Sequence, residues 1–226
     1  MGSRSVSDKI HDFLYWCIRK SVGFVVKAIW IKKVVGIDNI PKAGPVIVAF
    51  NHQSYFDFLC FVSVSNRNVH FLSAEKFFDH LFWSPIMKIT RQIRVDRKVH
   101  DKRVLHNRIF EHLREAKMIG IFPEGTRSPD KENMLPAFTG VARYAVRGHV
   151  PVVPIGIRGA HEVMSRKDTF PKFCKTVEMH VGKPISFENY SHTKLGRRAF
   201  RVLTNQIMLE IAELSTKKYR HLQHND

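Results

Sequence analysis

Residues 49–58 read AFNHQSYFDF and set His52 and Asp57 five positions apart among apolar and aromatic side chains. An imidazole and a carboxylate in contact make a general base. The carboxylate accepts the Nδ1–H, fixes the tautomer and leaves Nε2 to take a proton. Spacing alone does not deliver that contact, because positions five apart in a regular helix point about 140° from each other. The pair meets only if His52 lies in a turn and Asp57 in the first turn of the helix that follows. A helix-start histidine beside an unrelated, solvated aspartate gives the same spacing by chance.

A second stretch, IGIFPEGTRSP (119–129), runs a strand into Pro123 and then into Glu124, Gly125, Thr126 and Arg127. Gly125 lets the backbone approach a ligand closely. Thr126 and the adjacent N–H groups can donate to phosphate oxygens, and Arg127 can grip them bidentately. Glu124 can pair with that arginine or bind a hydroxyl. The plain alternative is a polar β-turn. In QIRVDRK another short strand ends at Arg97, a second guanidinium for the same edge or simply a surface arginine. VPVVPIGIRG carries Pro151 and Pro154, which do not suit a fully hydrogen-bonded central strand and predict a bulge or an edge at the pocket wall.

These residues need a scaffold. Strands are predicted at 46–50, 69–73, 93–95, 118–122, 152–157 and 177–181, with helices near 54–64, 76–89, 100–117 and 139–147. Leu105, Ile109 and Leu113 repeat every four residues, as do Phe200, Leu203, Ile207, Ile211 and Leu214, so each set marks one helix face. Alternating strands and helices predict an α/β fold, a mixed central sheet flanked by helices. His52 then follows the strand VIVAF at its carboxyl end, where ligands collect in open α/β sheets. Ser54 or Asn51 is placed to cap the next helix. The tail KKYRHLQHND is expected to fray.

The chain's 226 residues suffice for one large domain, and its 44% apolar residues for a sizeable core. A net charge of +17 implies an anionic partner: nucleic acid, an acidic carrier protein or an anionic membrane surface. Cys17, Cys60 and Cys174 lie far apart, which reads as a reduced compartment. No metal or cofactor is expected: HEVMS lacks the second histidine of HExxH, and no Walker loop or GxGxxG is present. His70, His106, His112 and His180 read as surface or packing residues.

Residues 1–35 are expected to form a separate module of two basic, aromatic-rich helices broken near Ser21–Gly23, ahead of the domain at 36–226. No run approaches the roughly 18 uncharged residues of a spanning helix. No signal peptide is evident, and Val6 stands where a myristoylation signal wants Ser or Thr. Trp16, Phe24 and Trp30 with flanking lysines suit a bilayer interface. They suit two helices packed on the domain equally well.

Taken in order, NHQSYFD, RVDR, FPEGTRS and VPVVPIGIRG resemble the blocks of the glycerolipid acyltransferases, most closely those acting on 1-acyl-glycerol-3-phosphate. The likeness runs from about Gly36 to Gly159, and FPEGTRS with the His–Asp block is its most specific part. The N-terminal helices loosely resemble the two-helix membrane module of some bacterial members. The resemblance implies transfer of a fatty acyl group from acyl-CoA or acyl-carrier protein to the hydroxyl of a lysophospholipid, giving phosphatidic acid. It implies His52 as general base and Asp57 as its orienting partner, with Arg97, Glu124, Gly125, Thr126 and Arg127 holding the glycerol phosphate. It also implies a peripheral or monotopic place on the cytoplasmic face of a membrane. Direct attack is expected, since no GxSxG elbow is present and Cys60 sits in an apolar run. The chain departs from the family at Arg91, at Glu75 and Phe77 in AEKFF, and at Phe138, where a basic residue is usual. These departures keep another acceptor, a lyso-aminolipid or glycolipid, in play. A basic nucleic-acid-binding protein accounts for the charge, but no helix-turn-helix, RNP or zinc pattern supports it.

Overall fold

The six predicted strands form, and a seventh joins them. In the computed structural model, which describes residues 6–81, 83–190 and 194–222, the strands are β1 (Ile31–Val35), β2 (Val46–Phe50), β3 (Val69–Ala74), β4 (Ile93–Val95), β5 (Met118–Ile121), β6 (Val152–Arg158) and β7 (Val177–Val181). They make one sheet in the order β1-β7-β6-β2-β5-β3-β4. Every neighbouring pair is parallel except β6–β7, so the sheet is mixed. The helices are α1 (Val6–Trp30), α2 (Asp57–Val64), α3 (Trp83–Ile89), α4 (Arg103–Arg114), α5 (Gly140–Gly148), α6 (Ala160–Val163) and α7 (Arg197–Ser215).

β2 is the central strand, and all five of its residues are buried. Strand alternation sends Ile47 and Ala49 to one face and Val46, Val48 and Phe50 to the other. The first face is covered by α4, α5 and α7 through Ile109, Leu113, Val141, Ala145, Leu203 and Ile207. The second is covered by α1 and α2 through Val26, Trp30, Cys60 and Phe61. Each fully buried side chain of this size stabilises the fold by about 1.5–3 kcal/mol, so β2 is pinned from both sides.

Five local expectations are corrected. The N-terminal segment is one helix, not two. Ser21 does not break it, because its hydroxyl donates back to Cys17 O at 2.8 Å. Gly23 serves a close crossing instead, since a Cβ there would lie 3.2 Å from the Ser63 Cα in α2. The module boundary also shifts. Residues 31–35 form β1, paired with β7 at the sheet edge, while residues 1–5 lie outside the described residues. In place of the helix predicted at 76–89 there is a 3₁₀ turn at Glu75–Phe77, followed by α3 from Trp83. β6 is an interior strand between β2 and β7. Pro154 is tolerated there because it sits just past the end of the β7 ladder, where Gly182 N–H still donates to Pro154 O (2.8 Å) and only one donor is given up. The tail is docked through Leu222: Met134 N–H donates to Lys218 O (3.0 Å), Tyr219 is buried, and Asn205 Nδ2 donates to Leu222 O (2.8 Å). Residues 223–226 lie outside the described residues.

Candidate active site

The backbone leaves β2 at Phe50 and turns through residues 51–56 before α2 begins at Asp57. Asn51 does not cap that helix. Its side-chain amide acts as one more peptide of the ladder, donating to Ile157 O (2.9 Å) and accepting from Ile157 N–H (2.7 Å) in β6. Ser54 Oγ accepts from Phe56 N–H at 3.0 Å and donates to Met164 O at 2.7 Å, which holds the turn against the segment after α6. Asp57, only 1% exposed, closes the turn from the other side. Its Oδ2 accepts from Gln53 N–H (2.8 Å), Ser54 N–H (2.9 Å) and the imidazole Nδ1 of His52 (2.8 Å). His52 therefore lies in the turn and Asp57 in the first helical turn, the one arrangement in which this spacing gives contact.

The imidazole is wedged flat against Phe122, ring centroids 4.1 Å apart, with 18% of the side chain open to solvent. Two constraints thus fix the ring plane, one polar and one apolar. Nδ1 is occupied by the carboxylate, and Nε2 has no hydrogen-bond partner among the described residues. That arrangement can accept a proton from a hydroxyl presented at the open edge.

The FPEGTRS turn is stitched directly to this one. Ser128 N–H donates to His52 O (2.7 Å), and His52 N–H donates to Glu124 Oε1 (2.8 Å). Glu124 Oε2 accepts from Leu135 N–H (2.7 Å). Glu124 is buried, so it grips backbone and pairs with no arginine. Burial pushes its carboxyl up to about 7, against the two backbone N–H groups that favour the charged form. Of the options open for it in the sequence, the arginine pair does not form among the described residues; the carboxylate ties three chain segments together.

Gly125 has φ of +66°, closing a turn in which its N–H donates to Phe122 O (2.9 Å). Arg97 reaches this turn and donates from Nη2 to Gly125 O at 2.5 Å, so the second guanidinium does come to the same edge. Thr126 is exposed beside it. Arg127 lies over the Tyr55 ring, 3.4 Å from its centroid, and its buried Nη1 has no hydrogen-bond partner among the described residues. Such a donor is satisfied by an incoming anionic oxygen.

Three residues of this region carried no signal in the sequence. Lys76 donates to the Tyr55 hydroxyl at 2.8 Å, adding a third cation to Arg97 and Arg127. Burial alone raises the Tyr55 hydroxyl, but Lys76 and Arg127 outweigh it and hold it below the usual phenol range. Lys217, from the docked tail, donates to Lys131 O, the carbonyl that also receives Gln53 Nε2 at 3.3 Å. Burial lowers its ammonium, while Glu124, Asp57 and other nearby acids act in the opposite sense. Their roles were not legible locally: Tyr55 stands inside NHQSYFD and Lys76 inside AEKFF, but each acts through partners from other segments, and Lys217 comes from the tail. Cys60 is fully buried, and burial with the Asp57 charge pushes its thiol up, which suits a core residue and not a nucleophile. No group of three or more His, Cys, Asp or Glu side chains able to hold a metal occurs among the described residues.

Phe138 closes one side of the rim. It is 67% exposed, and a Cβ on Gly125 would lie 2.6 Å from its ring. An apolar ring thus borders the turn. The clefts lined by Arg147 and His149 lie elsewhere, one of them at Pro45 and Ala116, the amino ends of β2 and β5.

Known proteins share this arrangement of chain. The family profile described as Acyltransferase matches residues 32–158, more than half of the sequence. The 1-acyl-sn-glycerol-3-phosphate acyltransferase of Bacillus subtilis (strain 168) is 24% identical over 186 residues, covering 82% of this chain and 88% of that protein. The 1-acyl-sn-glycerol-3-phosphate acyltransferase alpha of Mus musculus is 28% identical over 166 residues, 69% of this chain and 55% of its own length. Against the crystal structure of the 1-acyl-sn-glycerophosphate (LPA) acyltransferase PlsC from Thermotoga maritima the TM-score is 0.74, over 96% of this chain and 86% of that one. At 21% identity that likeness speaks to the fold. The matched family segment holds both the His52 turn and the FPEGTRS turn, and the chain belongs to the acyltransferase family.

Proposed function

We propose that the protein transfers a fatty acyl group from an acyl thioester to the sn-2 hydroxyl of 1-acyl-glycerol-3-phosphate, giving phosphatidic acid. The observation that carries this is the direct stitching of the His52–Asp57 turn to a cation-rimmed turn, through Ser128 N–H to His52 O and His52 N–H to Glu124. A phosphate held by Arg127, Lys76, Thr126 and Arg97 puts the glycerol hydroxyl of the same small molecule near Nε2.

In this mechanism His52 Nε2 takes the hydroxyl proton as the oxygen attacks the thioester carbon. The tetrahedral oxyanion collapses, the C–S bond breaks, and the proton on Nε2 passes to the departing thiolate. Asp57 holds the ring through Nδ1 and offsets the positive charge that forms on it. A positioned base of this kind contributes roughly 10²–10⁴-fold. Glu124 acts indirectly, by fixing the backbone of His52. The donor is coenzyme A or an acidic carrier protein, either of which complements a chain of +17.

The acceptor is a membrane lipid, so the enzyme works at a bilayer surface. Val6, Ile10, Phe13 and Phe24 share one exposed face of α1, with Lys9, Lys20 and Lys27 along one edge of it. No described helix is long and apolar enough to cross a membrane. Docking on the cytoplasmic leaflet follows from its anionic lipids.

A second reading, the same chemistry on a lyso-aminolipid or glycolipid, is favoured by Phe138 alone. Purified protein with radiolabelled acyl thioester and a panel of lysolipids tests both. Label in phosphatidic acid supports the first reading. Label only in another lipid promotes the second, and no lipid product from any acceptor rejects both.

A further inference from the structure

Between α6 and β7, residues 164–176 form a loop that carries two phenylalanines out into solvent. Phe170 is 79% exposed and Phe173 is 82% exposed. The loop is not slack. Ser165 N–H donates to Asp168 Oδ2 (2.7 Å), Lys172 N–H to Val163 O (2.8 Å), and Cys174 N–H to Lys172 O (3.0 Å). Pro171, between the two rings, has a fixed φ. A tethered backbone therefore holds both rings outward. Arg166, Lys167, Lys172 and Lys175 flank them, against the single acid Asp168.

The loop is tied to both elements that matter for a lipid substrate. The Trp30 indole at the end of α1 donates to Lys172 O at 2.7 Å and stacks on Phe173, centroids 5.9 Å apart. The same indole meets Phe56, in the turn before α2, at 4.9 Å. At the other end Met164 O accepts from Ser54, two residues from His52.

We propose that residues 166–175 are a second membrane-docking element, seating Phe170 and Phe173 in the interfacial layer of an anionic bilayer beside the His52 turn. Aromatic tips with basic shoulders match that layer, where rings sit among headgroups and cations meet anionic lipid. A bilayer is the occupant because the loop continues, through Trp30, the helix whose outward face is itself apolar with a lysine edge. Two separated contacts fix orientation, which one amphipathic helix cannot do. The delivery of lipid to His52 rests on the acyltransfer reading; the binding itself does not.

The test is co-sedimentation with vesicles of phosphatidylcholine plus phosphatidylglycerol, and of phosphatidylcholine alone, without substrate. Phe170→Ser/Phe173→Ser, with α1 intact, is expected to weaken partition onto the mixed vesicles about tenfold or more. Turnover of short-chain monomeric substrates should stay at the wild-type level. Because Phe173 packs on Trp30, Phe170→Ser alone must show the same direction, and Phe170→Trp must give a blue-shifted emission with vesicles. Unchanged partition of the double variant overturns the proposal, as does an emission of the Phe170→Trp variant that vesicles leave unshifted. A loss of self-association instead of vesicle binding would also overturn it, giving the rings to a second copy of the chain. If partition falls as expected while the wild type makes no acylated lipid, the docking element stands and the acyltransfer reading fails.

Discussion

The His52 turn and the cationic rim are stitched to each other and are built on opposite principles. Asp57 is 1% exposed and bonds two backbone N–H groups besides the imidazole, so the dyad is over-determined. Arg97 reaches the rim from beyond β4, Arg127 rests on an aromatic face with a donor unmet, and Lys76 reaches Tyr55 from another segment. A base must sit within hydrogen-bond reach of one proton at one angle, and backbone bonds supply that rigidity. A phosphate accepts from many directions, so long side chains with room to adjust serve it well. Rigid chemistry beside adaptable grip is what the contrast teaches.

That contrast can be broken most sharply at His52. His52→Ala is expected to lower kcat roughly 10²–10⁴-fold in the radiolabel assay, with a modest fall in thermal midpoint because buried Asp57 loses one of its three donors. If activity survives, the rigid half is not the catalytic half. On the adaptable half, Arg127→Ala should act on KM for the acceptor, raising it about tenfold or more with kcat largely kept, as the loss of a charged hydrogen bond predicts. A fall in kcat with KM unchanged would erase the distinction between the two regions.

Glu124 joins them, and its replacement reports on both. Glu124→Gln leaves one backbone N–H facing an amide NH₂, which costs about 1–3 kcal/mol and should show in denaturant unfolding. The pH dependence has a definite sign. A carboxyl raised from 4.5 to about 7 binds its proton more readily in the folded chain. Its contribution to stability is therefore full below about 4.5 and is lost as pH rises through about 7. The glutamine variant should lack that slope; an unchanged slope would assign it elsewhere. The smallest effect is expected at Tyr55→Phe, which keeps the ring under Arg127 and removes only the oxygen that accepts from Lys76. About 0.5–1.5 kcal/mol, read as a few-fold rise in acceptor KM, is anticipated.

Much of the scaffold was legible in single segments. VIVAF, VHFLS, IRV and VEMHV became strands at or within a residue of the predicted ends, and α4 and α7 follow the four-residue repeats. The errors have local causes. IKKVV carries two lysines and reads as helix flank, yet at a sheet edge those lysines face solvent, with Lys32 bonded to Glu178 at 2.8 Å. Pro154 misleads because an interior strand can give up one N–H at the end of a ladder while its carbonyl still accepts, here from Gly182 N–H. The polar tail was expected to fray because nothing in KKYRHLQHND announces that Tyr219 finds a buried slot. In the site, the contact between His52 and Asp57 was conditional on a turn that the sequence allows but does not require. Glu124 as a backbone clamp was not legible at all, because its partners His52 and Leu135 are not its neighbours in the chain.

The sequence by itself determined six of the seven strands, the helices with four-residue repeats, the burial of β2 and the residue types that mark the acyltransferase family, since propensity and periodicity are properties of short stretches. Only the tertiary structure decided which side chains share the site. Arg97, Lys76, Arg127 and Lys217 converge because the parallel strands β2, β5, β3 and β4 bring their carboxyl ends, and one docked tail, to the same edge. That convergence depends on strand order, and no local interaction along the chain encodes it.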